Sequence, residues 1–178
     1  MPRIEIELNP VSHITTDATG QPGQRVFYIQ ARDERQTVTL LVEKVQLQTL
    51  ALGIEQFLSE IATRRPELLP ALGDYDELQM RIQPPIDPLF RIGDLGLGYD
   101  EASDRMLLVA KEITADGVTE SDEEVAEVRL WGTRSQFRAL GRWAVELASR
   151  GRPVCPQCGE PMEPEGHFCP KKNGHKPH

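Results

Sequence analysis

The sequence predicts an α+β fold, in which antiparallel strands are followed by amphipathic helices and a metal-binding segment ends the chain. Short stretches of alternating apolar and polar residues recur along it, and two longer stretches have the apolar periodicity of a helix. All three cysteines and three of the four histidines lie in the C-terminal segment from Cys155 onward. The first two observations predict the sheet and helices, and the third predicts a metal site.

Composition and length predict one globular domain with a small appendage. The chain has 178 residues, of which 39% are hydrophobic and 27% charged, which suits a single domain of roughly 150 residues. We therefore assign an α+β domain to 1–150 and a zinc-binding tail to 151–178. No apolar run approaches the roughly 20 residues of a membrane span. The charged, alternating N-terminus resembles a strand, so we expect neither a membrane segment nor a signal peptide.

The cysteine content indicates the cellular compartment, and the net charge indicates which class of partner is disfavoured. Three clustered cysteines leave no disulfide framework, which indicates a reducing, cytoplasmic environment. The net charge is −8; residues 151–178 carry four basic and three acidic side chains, a net of +1, so 1–150 carry −9. Because an acidic body repels phosphate backbones, the charge disfavours nucleic acid as a partner.

The first half of the chain reads as strands followed by one helix. Alternating patterns predict strands at about 3–8, 25–31 and 36–43, with a shorter strand near 12–18. The helix has one apolar face and ends at Arg64-Arg65-Pro66. That face is formed by Leu47, Leu50, Ile54, Phe57 or Leu58, and Ile61. The prolines of 63–90 predict an irregular crossover to the second half.

The second half repeats this order. Strands are predicted at about 91–99, 105–112 and 125–131, the last preceded by a solvated acidic loop at Asp116–Glu124. The second helix begins at Thr133, because Gln136 has the spacing of a capping box. It ends at Arg150-Gly151, and its buried stripe is Phe137, Leu140, Ala144 and Leu147. Trp131 and Trp143 are expected in or near the core, although Trp143 lies off the stripe and could instead mark a contact surface.

The two halves also resemble each other in sequence. The matching stretches are Val38, Leu40 and Val42 with Ala126, Val128 and Leu130; Ala51-Leu52-Gly53 with Ala139-Leu140-Gly141; and Arg25–Ile29 with Arg105–Val109. One interpretation is a duplicated strands-then-helix unit, forming two antiparallel sheets or one continuous sheet. The other is that any two strand–helix units look alike, and the sequence leaves both open.

The C-terminal cysteines predict a zinc site. Cys155 and Cys158 form a C-x-x-C knuckle whose thiolates can share one ion, and Gly159 suits the backbone turn that this requires. Cys169 is expected to be the third ligand. The short span between Cys158 and His167 favours a compact knuckle over a full zinc ribbon.

The fourth zinc ligand is less determined by the sequence. His167 and His175 compete for it, with His178 as a third candidate, and we favour His167 because Gly166 permits the tight bend of a His-x-Cys pair. Four such ligands close the coordination sphere, which is typical of structural zinc. A catalytic zinc would need an open position and a general base, such as Glu163 or Glu165. Three cysteines with an inserted histidine disfavour an iron–sulfur cluster.

Two further motifs are interpreted as structural. Gly93–Tyr99 is glycine-rich, but another strand follows it where a phosphate-binding loop needs a helix N-terminus. We therefore expect a strand with Leu95, Leu97 and Tyr99 facing inward, and with Gly96 and Gly98 at close packing or a bulge. Ser12-His13 lacks a nucleophile elbow and is expected to be a pair of turn residues.

Several stretches together resemble a bacterial family catalogued as domain of unknown function 3090. They are Gly20–Arg25, Pro88–Gly93, and the ending from Cys155-Pro156-x-Cys158-Gly159 through Gly166-His167-x-Cys169-Pro170 to Asn173-Gly174. The resemblance covers nearly the full chain and implies a cytoplasmic bacterial protein with C-terminal cysteines as a shared feature. It also implies that histidine is not always present at the position of His175, which favours His167. It supplies no activity.

These observations favour a non-catalytic binding or adaptor protein with a structural zinc and a protein partner. One alternative is an enzyme acting on a phosphorylated or nucleotide-like small molecule in a cleft between the halves, although catalytic groups are sparse. The other is a single-stranded nucleic-acid binder, because Whirly-like and Pur-like proteins also pair strands-then-helix repeats. The acidic body counts against this second alternative.

Overall fold

A computed structural model describes residues 4–21, 23–114 and 125–150, and within these ranges the chain is an α+β domain, as predicted. The strands are β1 (Glu5–Leu8), β2 (His13–Thr19), β3 (Val26–Arg32), β4 (Thr37–Val42), β5 (Ile92–Asp100), β6 (Arg105–Glu112) and β7 (Glu127–Gly132). The helices are α1 (Lys44–Arg64) and α2 (Arg134–Ser149). The expected elements are all present within a few residues of their predicted ends. The C-terminal knuckle lies outside the described residues.

The strands form two sheets with a repeated order. The first sheet is β2-β3-β4, and the second is β1-β7-β6-β5, in which β5, β6 and β7 are antiparallel and β1 is parallel to β7. Each half therefore contains three consecutive antiparallel strands followed by a helix. β7 starts 90 residues after β4, and the helix N-cap Thr133 lies 90 residues after the helix N-cap Glu43.

This register corrects the sequence matches between the halves. Val38 corresponds to Val128 and not to Ala126, a difference of two residues that preserves which face of the strand is apolar. Phe27 pairs with Val42 as Met106 pairs with Gly132, so Phe27 corresponds to Met106 and not to Leu107. That one-residue error arose because β6 is apolar on both faces. Its sequence therefore has no alternation of apolar and polar residues by which β6 could be aligned with β3.

The two halves exchange their leading strands. β1 leads into β2 but pairs with β7 of the second sheet. Residues 89–91 lead into β5 but lie beside β4, where Leu89 N donates to Thr39 O (2.9 Å) and Leu41 N donates to Phe90 O (2.9 Å). Each sheet is thus completed by backbone that belongs to the start of the other unit. The helices pack against one another over the core, with Ile54 close to Gly141.

Helix α2 begins with the predicted capping box and buries the predicted apolar stripe. Thr133 and Gln136 form a reciprocal capping box, and Phe137, Leu140, Ala144 and Leu147 are all buried. Trp143 was the uncertain residue. It is 1% exposed, and its indole Nε1 donates to Thr16 O at 2.7 Å, so it belongs to the core and is not a contact surface.

The proline-rich crossover forms a strap, which we define as residues 66–90. It first runs beside α2: Leu72 N donates to Ser135 Oγ (2.9 Å), and Tyr75 packs edge-on against Trp143 with ring centroids 5.6 Å apart. It then crosses the outer face of the first sheet. There Thr15 Oγ1 donates to Met80 O (2.6 Å), and Ile82 N donates to Asp17 Oδ2 (3.0 Å).

The side chains beneath the strap are polar and buried. Thr15, Asp17 and Gln30 are at most 4% exposed, and Gln30 bonds Gln83 N (2.8 Å) and Gln83 O (3.0 Å) through its two amide ends. Because a buried polar group without a partner is costly, these bonds fix the register of the strap on the sheet.

His13 begins β2 on this same face, and the hydroxyl of the preceding residue Ser12 donates to Arg32 O (3.0 Å). Within the described residues, the buried His13 Nε2 has no hydrogen-bond partner. Burial, and then the charge of Arg32, lower the pKa of His13, while a bond with the Gln79 backbone partly opposes this. His13 is the first residue of β2, so the expectation that it belongs to a turn was wrong.

We expect His13→Gln to reduce the acid sensitivity of the fold. A histidine whose folded pKa is lowered stays neutral while the unfolded chain takes up a proton, so stability falls as pH drops below the ordinary value of 6.5. Thermal unfolding at about pH 7 and pH 5 should show a smaller loss for the variant than for the unmodified protein. An equal loss in both proteins would show that His13 does not titrate differently on unfolding.

Candidate functional site

The predicted metal ligands Cys155, Cys158, His167 and Cys169, and the alternatives His175 and His178, lie outside the described residues. Their zinc site is therefore not placed relative to the fold. Within residues 4–21, 23–114 and 125–150, no group of three or more His, Cys, Asp or Glu side chains is arranged to hold a metal ion.

A cleft of about 440 Å³ lies between the second half of α1, the start of the strap and the first turns of α2. Its apolar lining includes Leu58, Ile61 and Leu68. Leu58 and Ile61 are on the buried face of α1, and Leu68 packs against the core from the strap. The cleft is thus open to solvent above a floor that is continuous with the core.

Three arginines, Arg65, Arg134 and Arg138, also line the cleft. Each is paired with a carboxylate of this chain: Arg65 Nε with Glu67 (3.1 Å), Arg134 Nε with Asp104 (2.8 Å), and Arg138 Nη2 with Glu55 (3.2 Å). Three cations therefore face three anions, which leaves little uncompensated charge in the cleft.

The same arginines bind backbone carbonyls, two of them in the strap and one in the turn after β5. Arg134 Nη1 donates to Leu69 O (2.9 Å) and Arg138 Nη1 donates to Ala71 O (2.9 Å). Arg65 Nη1 donates to Glu101 O (2.9 Å) in the turn after β5. Their guanidinium groups are engaged in anchoring the cleft walls, which is a structural use of arginine.

A hydrogen-bonded group behind the cleft connects both helices to the β5–β6 turn. Arg65 donates to Tyr99 OH (3.2 Å), and Tyr99 OH donates to Asp104 Oδ1 (2.6 Å), which also accepts from Arg134. Arg134, and then Tyr99, lower the pKa of Asp104, despite partial burial. Burial, followed by the hydrogen bond and charge of Asp104, raises the pKa of Tyr99. Asp104 also has a left-handed backbone (φ 52°), which aspartate and asparagine tolerate better than most residues.

The rim of the cleft is apolar and exposed. Leu69, which lines the cleft, is 83% exposed, and Leu72, the residue after the last lining position Ala71, is 66% exposed. Arg134 and Ser135 fix the strap backbone at these two leucines. Two solvent-exposed leucines, three residues apart on an ordered backbone, favour contact with another apolar surface. The cleft therefore combines an apolar floor, neutralised walls and an apolar rim.

The glycine-rich stretch is a strand, as predicted, but its glycines act differently from expectation. Leu95, Leu97 and Tyr99 pack against the core, whereas a Cβ built on Gly96 would meet nothing within 4 Å. Gly96 is therefore not a site of close packing. The bulge lies between Ile92 and Asp94, where a Cβ on Gly93 would approach Ile113 Cα at 2.7 Å.

A comparison with protein families identifies the chain. The model of the family described as protein of unknown function DUF3090 matches residues 6–169. The chain belongs to this family. The family resemblance expected from the sequence is thus confirmed over nearly the full length, and it carries no activity with it. No curated protein and no solved structure matches the chain. Among the described residues, neither helix is long and apolar enough to cross a membrane.

We expect Asp104→Asn to loosen the group behind the cleft. Asparagine keeps the backbone conformation but removes the charge that Arg134 binds, so the free energy of unfolding should fall by about 1 kcal/mol. The effect is small because the side chain is 38% exposed and solvent screens the pair. Urea unfolding at neutral pH would measure it, with Asp87→Asn, an exposed strap residue, as a charge-matched control.

The same experiment at low pH checks the cause. A carboxyl whose folded pKa is lowered stabilises the fold above its ordinary value of 3.8 and loses that effect as the pH falls through the lowered value. The difference between the Asp104→Asn variant and the unmodified protein should therefore shrink on acidification. A difference that persists unchanged would indicate lost packing and not lost charge.

Proposed function

We propose that this protein is a non-catalytic binding protein that carries a structural zinc and takes up an apolar side chain of a protein partner in the cleft. The observation that carries this proposal is the exposed leucine rim, Leu69 and Leu72, above an apolar floor. Apolar side chains held in water on an ordered segment are typical of protein interaction sites.

The charge of the cleft supports a protein partner over a phosphorylated ligand. A phosphate or nucleotide site uses arginines whose donors are free to face the anion. Here Arg65, Arg134 and Arg138 are each neutralised by a carboxylate and also bind strap or turn carbonyls. An anion entering the cleft would have to displace these partners, so the geometry favours an uncharged, apolar contact.

Nucleic acid is not proposed as a partner. On the outer face of the second sheet, Glu7 lies beside Arg129 and Glu127 lies beside Lys111, so both basic side chains there have acidic neighbours. With a net charge of −8 over the chain, few phosphate contacts are available to release counterions. The proposed setting is the cytoplasm, in keeping with the reduced cysteines that zinc binding requires.

The partner proposal predicts that the leucine rim decides binding. Leu69→Asp and Leu72→Asp should each reduce the capture of a partner from a native-cell extract by about tenfold or more, as for a central apolar contact. Leu78→Asp is the matched control, because Leu78 is 81% exposed on the same strap but lies seven residues beyond Ala71, the last strap residue that lines the cleft. Quantitative mass spectrometry of the captured proteins provides the measurement. A partner retained by both rim variants would contradict the proposal.

The zinc proposal predicts about one zinc per chain, held by Cys155, Cys158, His167 and Cys169. Replacing Cys155 or Cys158 with serine should abolish the site, because a hydroxyl is a poor zinc ligand. His167→Ala should release the metal and His175→Ala should leave it nearly unchanged. Metal analysis under a competing chelator would decide between them.

The opposite pattern, in which His175→Ala empties the site and His167→Ala does not, would make His175 the fourth ligand. A histidine that supports a ligand without touching zinc would instead weaken metal affinity by about 10–100-fold.

A further inference from the structure

The outer faces of the two sheets differ at corresponding positions. In the first sheet, Thr15, Asp17 and Gln30 bind the strap. The registers place Gly96, Gly98 and Val109 at the corresponding positions of the second sheet. Where the first sheet has three polar side chains that hydrogen-bond to the strap, the second sheet therefore has two glycines and one valine.

The outer face of the second sheet is apolar at its centre. Leu107 lies between Trp131 of β7 and Gly98 of β5, and Val109 lies between Arg129 and Gly96. Trp131 is half-buried, and its Nε1 is 3.3 Å from Glu7 Oε2. Because nothing lies within 4 Å of a Cβ at Gly96, this strand offers room for side chains from above.

The two helices show the same contrast. On α2, Ser135 binds the strap backbone, and the side chain of Arg142 lies against Gly73 of the strap. The residues 90 positions earlier, Val45 and Leu52 on α1, are each 69% exposed. Val45 and Leu52 are also seven residues apart and so lie on one side of the helix. The surface that the strap covers in one half is apolar in the other. There Val45, Leu52 and Gly96 are exposed and Val109 and Trp131 are half-buried, whereas Leu107 is 8% exposed.

We propose that the C-terminal segment 151–178 docks along Val45 and Leu52 of α1 and over the Leu107–Trp131 face of the second sheet. This segment follows α2 as the strap follows α1. The strap reaches Gln83 from Arg65 in 18 residues, and 28 residues follow Arg150, so the length suffices.

The chemistry of the segment fits this course. It contains Val154, Met162 and Phe168 for an apolar face. Its net charge of +1 is opposite to that of the sheet edge, where Glu5, Glu7 and Glu127 outnumber the basic residues Arg129 and Lys111 beside them. The docking site is distinct from the leucine-rimmed cleft, and this inference goes beyond the proposed partner binding.

Photo-crosslinking of the full-length protein tests the contact. A benzophenone amino acid is placed at Gly96, at Leu52, or at Val145, an exposed α2 residue outside the proposed course. The Gly96 and Leu52 probes should crosslink to peptides from 151–178 within one chain, and the Val145 probe should not. Crosslinks to a second copy, to residues 115–124, or to nothing would each overturn the proposal.

Limited trypsin digestion gives a second measurement that does not need a bulky probe. Gly96→Lys and Leu52→Lys should each speed cleavage at Lys171 and Lys172 by about tenfold, since cleavage follows the population of undocked segment. Val145→Lys should leave the rate unchanged. Equal rates in all variants would contradict docking.

Zinc content, measured in the same preparations, separates the two proposals. Retained zinc with an undocked segment would reject the docking and leave the metal site intact. Loss of zinc with persistent crosslinks would support the docking and reject the metal site.

Discussion

The exchange of leading strands between the two halves is the constraint on which the architecture depends. β1 pairs with β7, and residues 89–91 lie beside β4, so neither sheet is completed by its own unit. An unpaired sheet edge exposes backbone donors and acceptors, and here each unit covers such an edge for the other. The described halves therefore form one cooperative body with a shared core, in which Leu8 of β1 and Phe90 before β5 are both buried.

Once the sheets are fixed in this way, the crossover between them must pass over the outside of the domain. Polar groups determine its route at two places. Arg134 and Arg138 bind its carbonyls at Leu69 and Ala71. Thr15, Asp17 and Gln30 bind its backbone from Met80 to Gln83. The cleft is a result of this path, because the strap leaves α1 at Arg65 and reaches α2 only at Leu69. Rigid walls and an exposed apolar rim arise from the same set of bonds.

Much of the fold could be predicted because it depends on local patterns. The alternation of β3 and the capping box at Thr133 are short-range signals, and both were found where expected. The cleft could not be predicted in this way. The partners of Arg134 and Arg138 are Asp104 and Glu55, 30 and 83 residues away, and nothing in the sequence distinguishes these arginines from solvated ones. Trp143 was ambiguous for a similar reason, since its acceptor is Thr16, 127 residues earlier.

The pairing of β1 with β7 also bears on how the chain is made. Glu5 is synthesised before its partner Glu127, which follows 122 residues later. The second sheet can therefore close only when most of the domain has been synthesised, whereas β2, β3 and β4 can pair early because hairpins connect them. During that interval the apolar residues Ile6 and Leu8 of β1 lack the neighbours that bury them in the folded domain, so β1 is exposed to premature association.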